Sequence, residues 1–178
     1  MVSMVGGGSI GLVGWRVFFH REAGHAPGVD SDAIVQRHAQ ILERAAARMR
    51  VGQPFLVGPD GTVDVRVNRW FVSDEVRGLS RTTWEKYAYS LKVWLGFLSA
   101  YGCRWDEANH GTQEAFKVWR VQDERNPRLV SLGTYGDDLI AIRLFYGWAS
   151  AEYGVCNPIR MRSEEHTSEL QSRTLISY

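Results

Sequence analysis

The sequence predicts an all-α protein, a compact bundle of amphipathic helices. Apolar residues recur at alternating steps of three and four in two long segments, 81–101 and 131–153, and a shorter amphipathic segment lies between them at 112–124. This spacing places apolar side chains on one face of a helix. Because the connections are short, the three apolar faces can be buried only against one another.

The composition is that of a soluble globular protein. Of 178 residues, 44% are hydrophobic and 23% charged, and 21 Lys and Arg against 20 Asp and Glu leave a net charge of +1. No apolar run reaches the roughly 20 residues of a membrane helix, and no basic leader of the signal-peptide type begins the chain. We therefore expect a cytoplasmic protein without a membrane partner. Any contact with nucleic acid must come from a local surface, because the net charge is near zero.

The sequence carries no pattern typical of a cofactor or metal site. Cys103 and Cys156 form no CxxC pair, and His38 and His110 have no acidic or cysteine partner at ligand spacing, so we expect reduced thiols and no metal. The GxGxxG spacing at 6–11 lacks a strand before it and a helix after it. We therefore expect no dinucleotide cofactor.

The N-terminal part of the chain divides into two segments. Residues 1–30 are glycine-rich and predict a disordered leader, or a start codon placed too far upstream. From Ser31, an apolar stripe at helical spacing predicts a helix, which Gly52 and Pro54 end. We assign this helix and the arm after it to 31–62.

The next segment combines a turn with an ambiguous stretch. Gly58–Gly61 reads Gly-Pro-Asp-Gly, a composition typical of a turn. Apolar and polar residues alternate over 62–67, which indicates a short strand or an extended arm, and 66–76 favours a short helix.

The first long helix is predicted over Arg81–Tyr101. Ser80 or Thr82 is the candidate N-cap, and Gly102 follows the last periodic residue as a stop. Its apolar stripe consists of Trp84, Tyr87, Leu91, Trp94, Leu98 and Tyr101.

Two further helices follow. The segment 112–124 places Ala115, Phe116 and Trp119 on one face, and Asn126-Pro127 ends it. Ser131 or Gly133 opens the last helix, and Gly154 stops it. The stripe of this helix consists of Tyr135, Leu139, Ile142, Tyr146, Ala149 and Tyr153.

These helices carry a family resemblance. The segment 80–87, Ser-Arg-Thr-Thr-Trp-Glu-Lys-Tyr, and the stripe that continues to Gly102 resemble the first helix of the core-binding domain of tyrosine recombinases and phage integrases. The segment 130–148 and the exit Asn157-Pro158-Ile159 are similar to the last helix of that domain. The resemblance covers about 63–159.

The resemblance implies a SAM-like helical domain that closes over one face of double-stranded DNA. A separate C-terminal domain of such enzymes cuts and rejoins strands through a tyrosine, and the full-length parent is expected to assemble as a tetramer on DNA. The Arg, Lys, HxxR and Tyr of that catalytic domain have no match in this sequence. We therefore expect no catalytic residue, no cofactor and no small-molecule substrate here, so that the chain as given is not an enzyme.

The start of the first long helix is the first candidate DNA contact. Hydroxyl groups, cations and the free N–H groups of a helix start all bind phosphate oxygens, and this start offers Arg81, Thr82, Thr83 and, one turn on, Lys86. In the family pattern the Thr and the basic residues here touch the DNA backbone. The alternative is that Thr82 only caps the helix and Arg81 pairs with Glu85.

The last helix supplies two further candidates. Arg143 borders the apolar stripe and matches the basic residue that the family directs at the DNA groove; a solvated arginine is the alternative. Thr134 either caps the helix or binds phosphate. Lys92, Lys117 and Arg120 are interpreted as solvated cations.

Other prominent residues have structural interpretations. The tryptophans on or beside the stripes, Trp84, Trp94, Trp119 and Trp148, are expected to pack in the core. Asp137 and Asp138 are interpreted as first-turn acids that favour the helix dipole.

The end of the chain suggests a different origin. Residues 162–172 back-translate into a sequence that looks like a short-read sequencing adapter, and 176–178 fits its continuation in the same frame. We therefore expect 162–178 to be an artefactual tail and the chain to be the DNA-binding part of a truncated site-specific recombinase. A helical protein-interaction module is the alternative, favoured if Arg81, Lys86 and Arg143 do not share one face.

Overall fold

A computed structural model describes residues 14–20 and 49–159. Within these ranges the chain forms five α-helices and one two-stranded antiparallel sheet, so the predicted all-α class is confirmed. The elements are β1 (Arg16–Phe19), β2 (Pro54–Val57), α1 (Val65–Arg69), α2 (Asp74–Arg77), α3 (Arg81–Tyr101), α4 (His110–Val121) and α5 (Leu132–Tyr153), with 3-10 turns at Trp70–Val72 and Trp105–Glu107. The predictions for the glycine motif, the helix from Ser31 and the tail from 162 lie outside the described residues.

The small sheet departs from the prediction that 1–30 lacks regular structure. Strand β1 pairs antiparallel with β2, and the rings of Phe18 and Phe55 stack with centroids 5.3 Å apart. The outer edge of β2 is closed by Asn68, whose side chain accepts from the Leu56 N–H at 2.7 Å and donates to the Leu56 carbonyl at 2.9 Å. The Val and Phe residues of β1 favour a strand, but its partner lies too far along the chain for a local pattern to indicate the pairing.

The segment after the turn is helical, not extended. The Asp64 carboxylate caps α1 by accepting from the N–H groups of Arg66 and Val67 at 2.9 and 3.3 Å. The alternation over 62–67 therefore does not form a strand, whereas the short helix expected over 66–76 is confirmed as the sequence α1, 3-10 turn, α2.

Helix α3 has the predicted bounds. The Ser80 hydroxyl accepts from the Thr83 N–H at 3.2 Å, so Ser80 and not Thr82 is the N-cap. Gly102 ends the helix at φ 74°, in the left-handed region that favours glycine. Most of the apolar stripe is buried, but Tyr101 at the last turn is 58% exposed.

Helices α4 and α5 begin at side-chain caps. Asn109 and Thr112 form a capping box, which starts α4 two residues before the predicted position. Ser131 caps α5 by accepting from the Thr134 N–H at 3.2 Å, and Gly154 ends it at φ 69°. The predicted stop at Gly154 is confirmed.

The core is an aromatic cluster between α3, α4, α5 and the 3-10 turns. The Trp94 ring meets Phe116 edge-on at 5.1 Å, and its Nε1 donates to the Tyr146 hydroxyl at 3.1 Å. That hydroxyl donates in turn to the Trp105 carbonyl at 2.7 Å. Burial raises the pKa of Tyr146 far above its ordinary value. The expectation of core packing is confirmed for Trp94, and likewise for Trp84 and Trp119, while Trp148 is half-buried against the cluster.

A buried ion pair joins the three longest helices. Arg120 Nε lies 3.0 Å from Asp138 Oδ2, with the two side chains only 11% and 8% exposed, and Ser90 donates to the other carboxylate oxygen at 2.8 Å. The interpretation of Arg120 as a solvated cation is therefore wrong. Asp137 and Asp138 both lie beyond the first turn of α5, which contains no acid, so their interpretation as first-turn acids is wrong. Asp138 binds the Arg120 guanidinium instead.

Both cysteines within the described ranges are free, Cys103 half-buried and Cys156 exposed. No cluster of potential metal ligands occurs in the described ranges. None of the helices found there is long and apolar enough to cross a membrane.

Candidate functional site

The start of α3 presents backbone donors on the surface. The Thr83 N–H is taken by Ser80, and the Trp84 N–H donates to the Ser80 carbonyl at 3.0 Å. The N–H groups of Arg81 and Thr82 have no acceptor among the described residues, and both residues are exposed. The Thr83 hydroxyl lies 2.9 Å from that of Ser80. The helix start can therefore still receive an anionic oxygen.

Arg81 forms an ion pair within the protein. Its Nε lies 3.1 Å from Glu85 Oε1, so the pair that we named as the alternative to DNA contact does form. The stem of Arg81 lies over Gly52, where an added Cβ would be 3.5 Å from Arg81 Cδ. Arg81 is thus directed toward the turn that precedes β2.

Lys86 is the cation with the fewest constraints at this end of α3. It is exposed and forms no ion pair with any described residue. It lies one turn after Thr82 and Thr83, since residues three and four apart are neighbours on a helix.

Arg143 lies in an open groove on another side of α3. The groove has a volume of about 870 Å³ and is lined mainly by apolar side chains, among them Trp70, Tyr87 and Trp148. No described acid lies within ion-pair distance of the Arg143 guanidinium, although Glu75 lines the same groove. The Ser73 hydroxyl and the Glu75 backbone N–H near the carboxylate lower the pKa of Glu75, so the groove contains one charge of each sign.

Thr134 repeats the arrangement at the start of α3. Its N–H donates to the Ser131 hydroxyl, and the two hydroxyl oxygens are 3.2 Å apart. Ser131 is therefore the N-cap of α5, and Thr134 lies one turn before Asp138. On α3, Lys86 lies one turn before Ser90, which donates a hydrogen bond to Asp138.

The predicted site residues do not form one contiguous patch. Arg81 and Tyr87 are six positions apart, which is about 120° around a helix, and Arg143 lies on the Tyr87 side. The buried Trp84, Ala88 and Leu91 lie within that 120° arc, whereas Thr82, Thr83 and Lys86 lie on the wider, outward-facing arc between the two sides. The described part of the chain shows no hydrogen bond or ion pair that links Arg81, Thr134 and Arg143.

One exposed aromatic residue on this surface is not among the predicted site residues. Tyr89 is 51% exposed and lies three positions from both Lys86 and Lys92. Its hydroxyl has no hydrogen-bond partner among the described residues. The only sequence signal was its position outside the apolar stripe, which Tyr89 shares with every solvated residue of the helix.

Comparison with known families shows which domain this helical bundle is similar to. Residues 74–153 match the model described as phage integrase, N-terminal SAM-like domain. Comparisons with curated proteins and with solved structures give no match. The matched range runs from the first residue of α2 to the last of α5, so it is narrower than the 63–159 over which the resemblance was recognised. Over residues 74–153 the chain is therefore similar to the N-terminal SAM-like domain of phage integrases.

Proposed function

We propose that this domain binds double-stranded DNA as the DNA-holding part of a tyrosine-type site-specific recombinase. Cleavage and rejoining of strands then belong to a separate catalytic domain of the parent enzyme, which acts as a tetramer on DNA. The domain takes no cofactor and no small-molecule substrate, and works in the cytoplasm.

The observation that carries the proposal is Lys86 beside the open helix start. An exposed ammonium without a protein partner loses nothing within the protein when it meets a phosphate. The two unpaired N–H groups and the Thr82 hydroxyl, one turn away, can donate hydrogen bonds to phosphates of the same strand, since backbone N–H groups and hydroxyls are common phosphate donors.

Four further residues contribute less directly to the proposed DNA binding: Arg81, Thr83, Thr134 and Arg143. An exposed ion pair such as that of Arg81 contributes only about 0–1 kcal/mol, so Arg81 can exchange Glu85 for a phosphate at little cost. The hydroxyls of Thr83 and Thr134 can still donate to phosphate after a rotation. Arg143 supplies a cation that can enter a DNA groove.

The test is a fluorescence-anisotropy titration of a labelled duplex with the full chain at several NaCl concentrations. We expect a dissociation constant of roughly 10⁻⁴ to 10⁻⁶ M, with affinity falling as salt rises. Lys86→Gln and Arg143→Gln should each weaken binding. Lys117→Gln is the matched control, because Lys117 lies on α4 and forms no ion pair with any described residue.

Absence of binding at low salt, or an affinity that salt does not change, would refute the proposal. The alternative, a helical protein-interaction module, is favoured by two observations. Arg81 and Arg143 lie on different sides of α3, and α5 exposes Ile140 and Leu144 by 51% and 42%. Failure of the wild-type chain to bind DNA would favour the protein-interaction module.

A further inference from the structure

We propose that the turn at residues 50–53, which closes the small sheet, binds the DNA backbone through Arg50. We call these four residues the sheet turn. The sheet turn lies outside residues 74–153, so the match to the integrase domain gives it no role. The inference rests on the proposed function and adds to it a contact that the sheet makes and the helical bundle does not.

The sheet turn has a fixed conformation. The Gln53 N–H donates to the Arg50 carbonyl at 3.0 Å, and Gly52 adopts a φ of 85°, in the left-handed region that favours glycine. Gln53 is fully buried, and its side chain accepts from the Arg50 N–H at 2.7 Å and donates to the Phe71 carbonyl at 2.6 Å. This amide ties the turn to the rest of the fold, so that Arg50 projects from a rigid support.

The sheet turn lies against the start of α3. A Cβ added at Gly52 would be 3.5 Å from Arg81 Cδ and 3.6 Å from Arg81 Nε, so the Arg81 side chain lies over the turn. Arg81 is the first residue of α3. A DNA strand that reached the start of α3 would therefore also pass close to the sheet turn, because only the Arg81 side chain separates the two.

The charge of the sheet complements a phosphate backbone. Residues 14–20 and 49–57, which include both strands and the turn, contain two arginines and no Asp or Glu. Arg50 is exposed and forms no ion pair with any described residue. Its guanidinium can therefore bind a phosphate without giving up a carboxylate of the described chain. The planar guanidinium also matches the geometry of a phosphate group, with which it forms two parallel hydrogen bonds.

The first test measures duplex binding by the full chain at several NaCl concentrations, by fluorescence anisotropy. An arginine that contacts a phosphate contributes about 0.9 to the slope of log affinity against log salt, so Arg50→Gln should lower the slope by about 0.9 and the affinity at 0.1 M salt by about eightfold. Arg50→Lys keeps the charge and should keep the slope. Arg128→Gln is the matched control, because Arg128 is exposed, lies between α4 and α5, and forms no ion pair with a described residue.

The second test changes the charge of the sheet turn at a different residue. Val51 is 55% exposed, so Val51→Asp and Val51→Asn should both leave the fold intact, which circular dichroism checks. The added carboxylate of Val51→Asp would repel the nearby phosphates and should weaken binding at low salt by about fivefold. Val51→Asn has nearly the same shape without the charge and should bind as the wild-type chain does.

The outcomes separate this inference from the proposed function. If Lys86→Gln weakens binding while Arg50→Gln and Val51→Asp do not, the sheet turn is not part of the interface. If Arg128→Gln lowers the slope as much as Arg50→Gln does, the effect is one of net charge, and the assignment to the sheet turn is wrong. If the wild-type chain shows no salt-dependent binding, the proposed function fails and this inference fails with it.

Discussion

Removal of the Asp138 carboxylate should lower the free energy of unfolding far more than removal of the neighbouring Asp137 carboxylate. In Asp138→Ala, the Arg120 guanidinium remains 11% exposed and keeps only its hydrogen bond to the Arg128 carbonyl at 2.9 Å. Ser90 also loses its acceptor. Removing one partner of a buried pair costs about 3–5 kcal/mol, because a charge stays buried without compensation. A domain with about 5–15 kcal/mol of stability would come close to its unfolding threshold.

Urea unfolding followed by tryptophan fluorescence measures this change, since Trp119 and Trp94 lie in the core. Asp137→Ala is the matched control, because it makes the same chemical change at an adjacent, exposed position on α5. Surface changes of this kind usually alter the free energy of unfolding by less than about 0.5 kcal/mol. If Asp138→Ala destabilised the protein no more than Asp137→Ala does, the buried ion pair would not be a structural element of this bundle.

Tyr146→Phe should lower the free energy of unfolding by about 2–4 kcal/mol, because it leaves both Trp94 Nε1 and the Trp105 carbonyl without a partner; chemical denaturation measures this. Since burial raises the pKa of Tyr146, the folded state keeps the phenol proton above pH ~10, where the unfolded state has lost it. Stability should therefore be full below that pH and fall as the pH rises beyond it, and an equal alkaline loss in Tyr146→Phe would contradict this reasoning. Gly154→Ala should destabilise by about 1 kcal/mol because of the positive φ of 69°. Gly136→Ala, in a helical turn where an added Cβ meets nothing within 4 Å, should stabilise by about 0.5–1 kcal/mol. Thermal melts of both glycine variants test the signs, and two shifts in the same direction would contradict the assigned conformations.

The helices were predictable because their signals are local. Helix α3 carries its cap, its apolar stripe and its terminal glycine within the segment 80–102, so its bounds follow from the sequence. The pairing of strand β1 has no such local signal, because β2 and Asn68, which complete the sheet, lie far along the chain. The capping box of Asn109 and Thr112 is also a local signal, and it starts α4 two residues before the predicted position.

The charged groups were less predictable than the apolar ones. Asp137 and Asp138 are adjacent and chemically identical in the sequence, yet one is exposed and the other is buried against Arg120. Only the arrangement of α4 against α5 distinguishes them.

The arginines and the lysines of this chain differ in how often they form ion pairs, which the near-zero net charge does not show. Six of the eleven arginines in the described ranges form ion pairs with acids of the same chain. The chain has three lysines, Lys86, Lys92 and Lys117, and none pairs with a described acid. The planar guanidinium suits fixed pairs with carboxylates, whereas the lysine ammonium remains a mobile point charge. Two of the three lysines lie on α3, where the domain is proposed to meet DNA, and five described arginines, Arg143 among them, also form no ion pair with a described acid. Two to four phosphate contacts would then give a salt slope of only about −2 to −4.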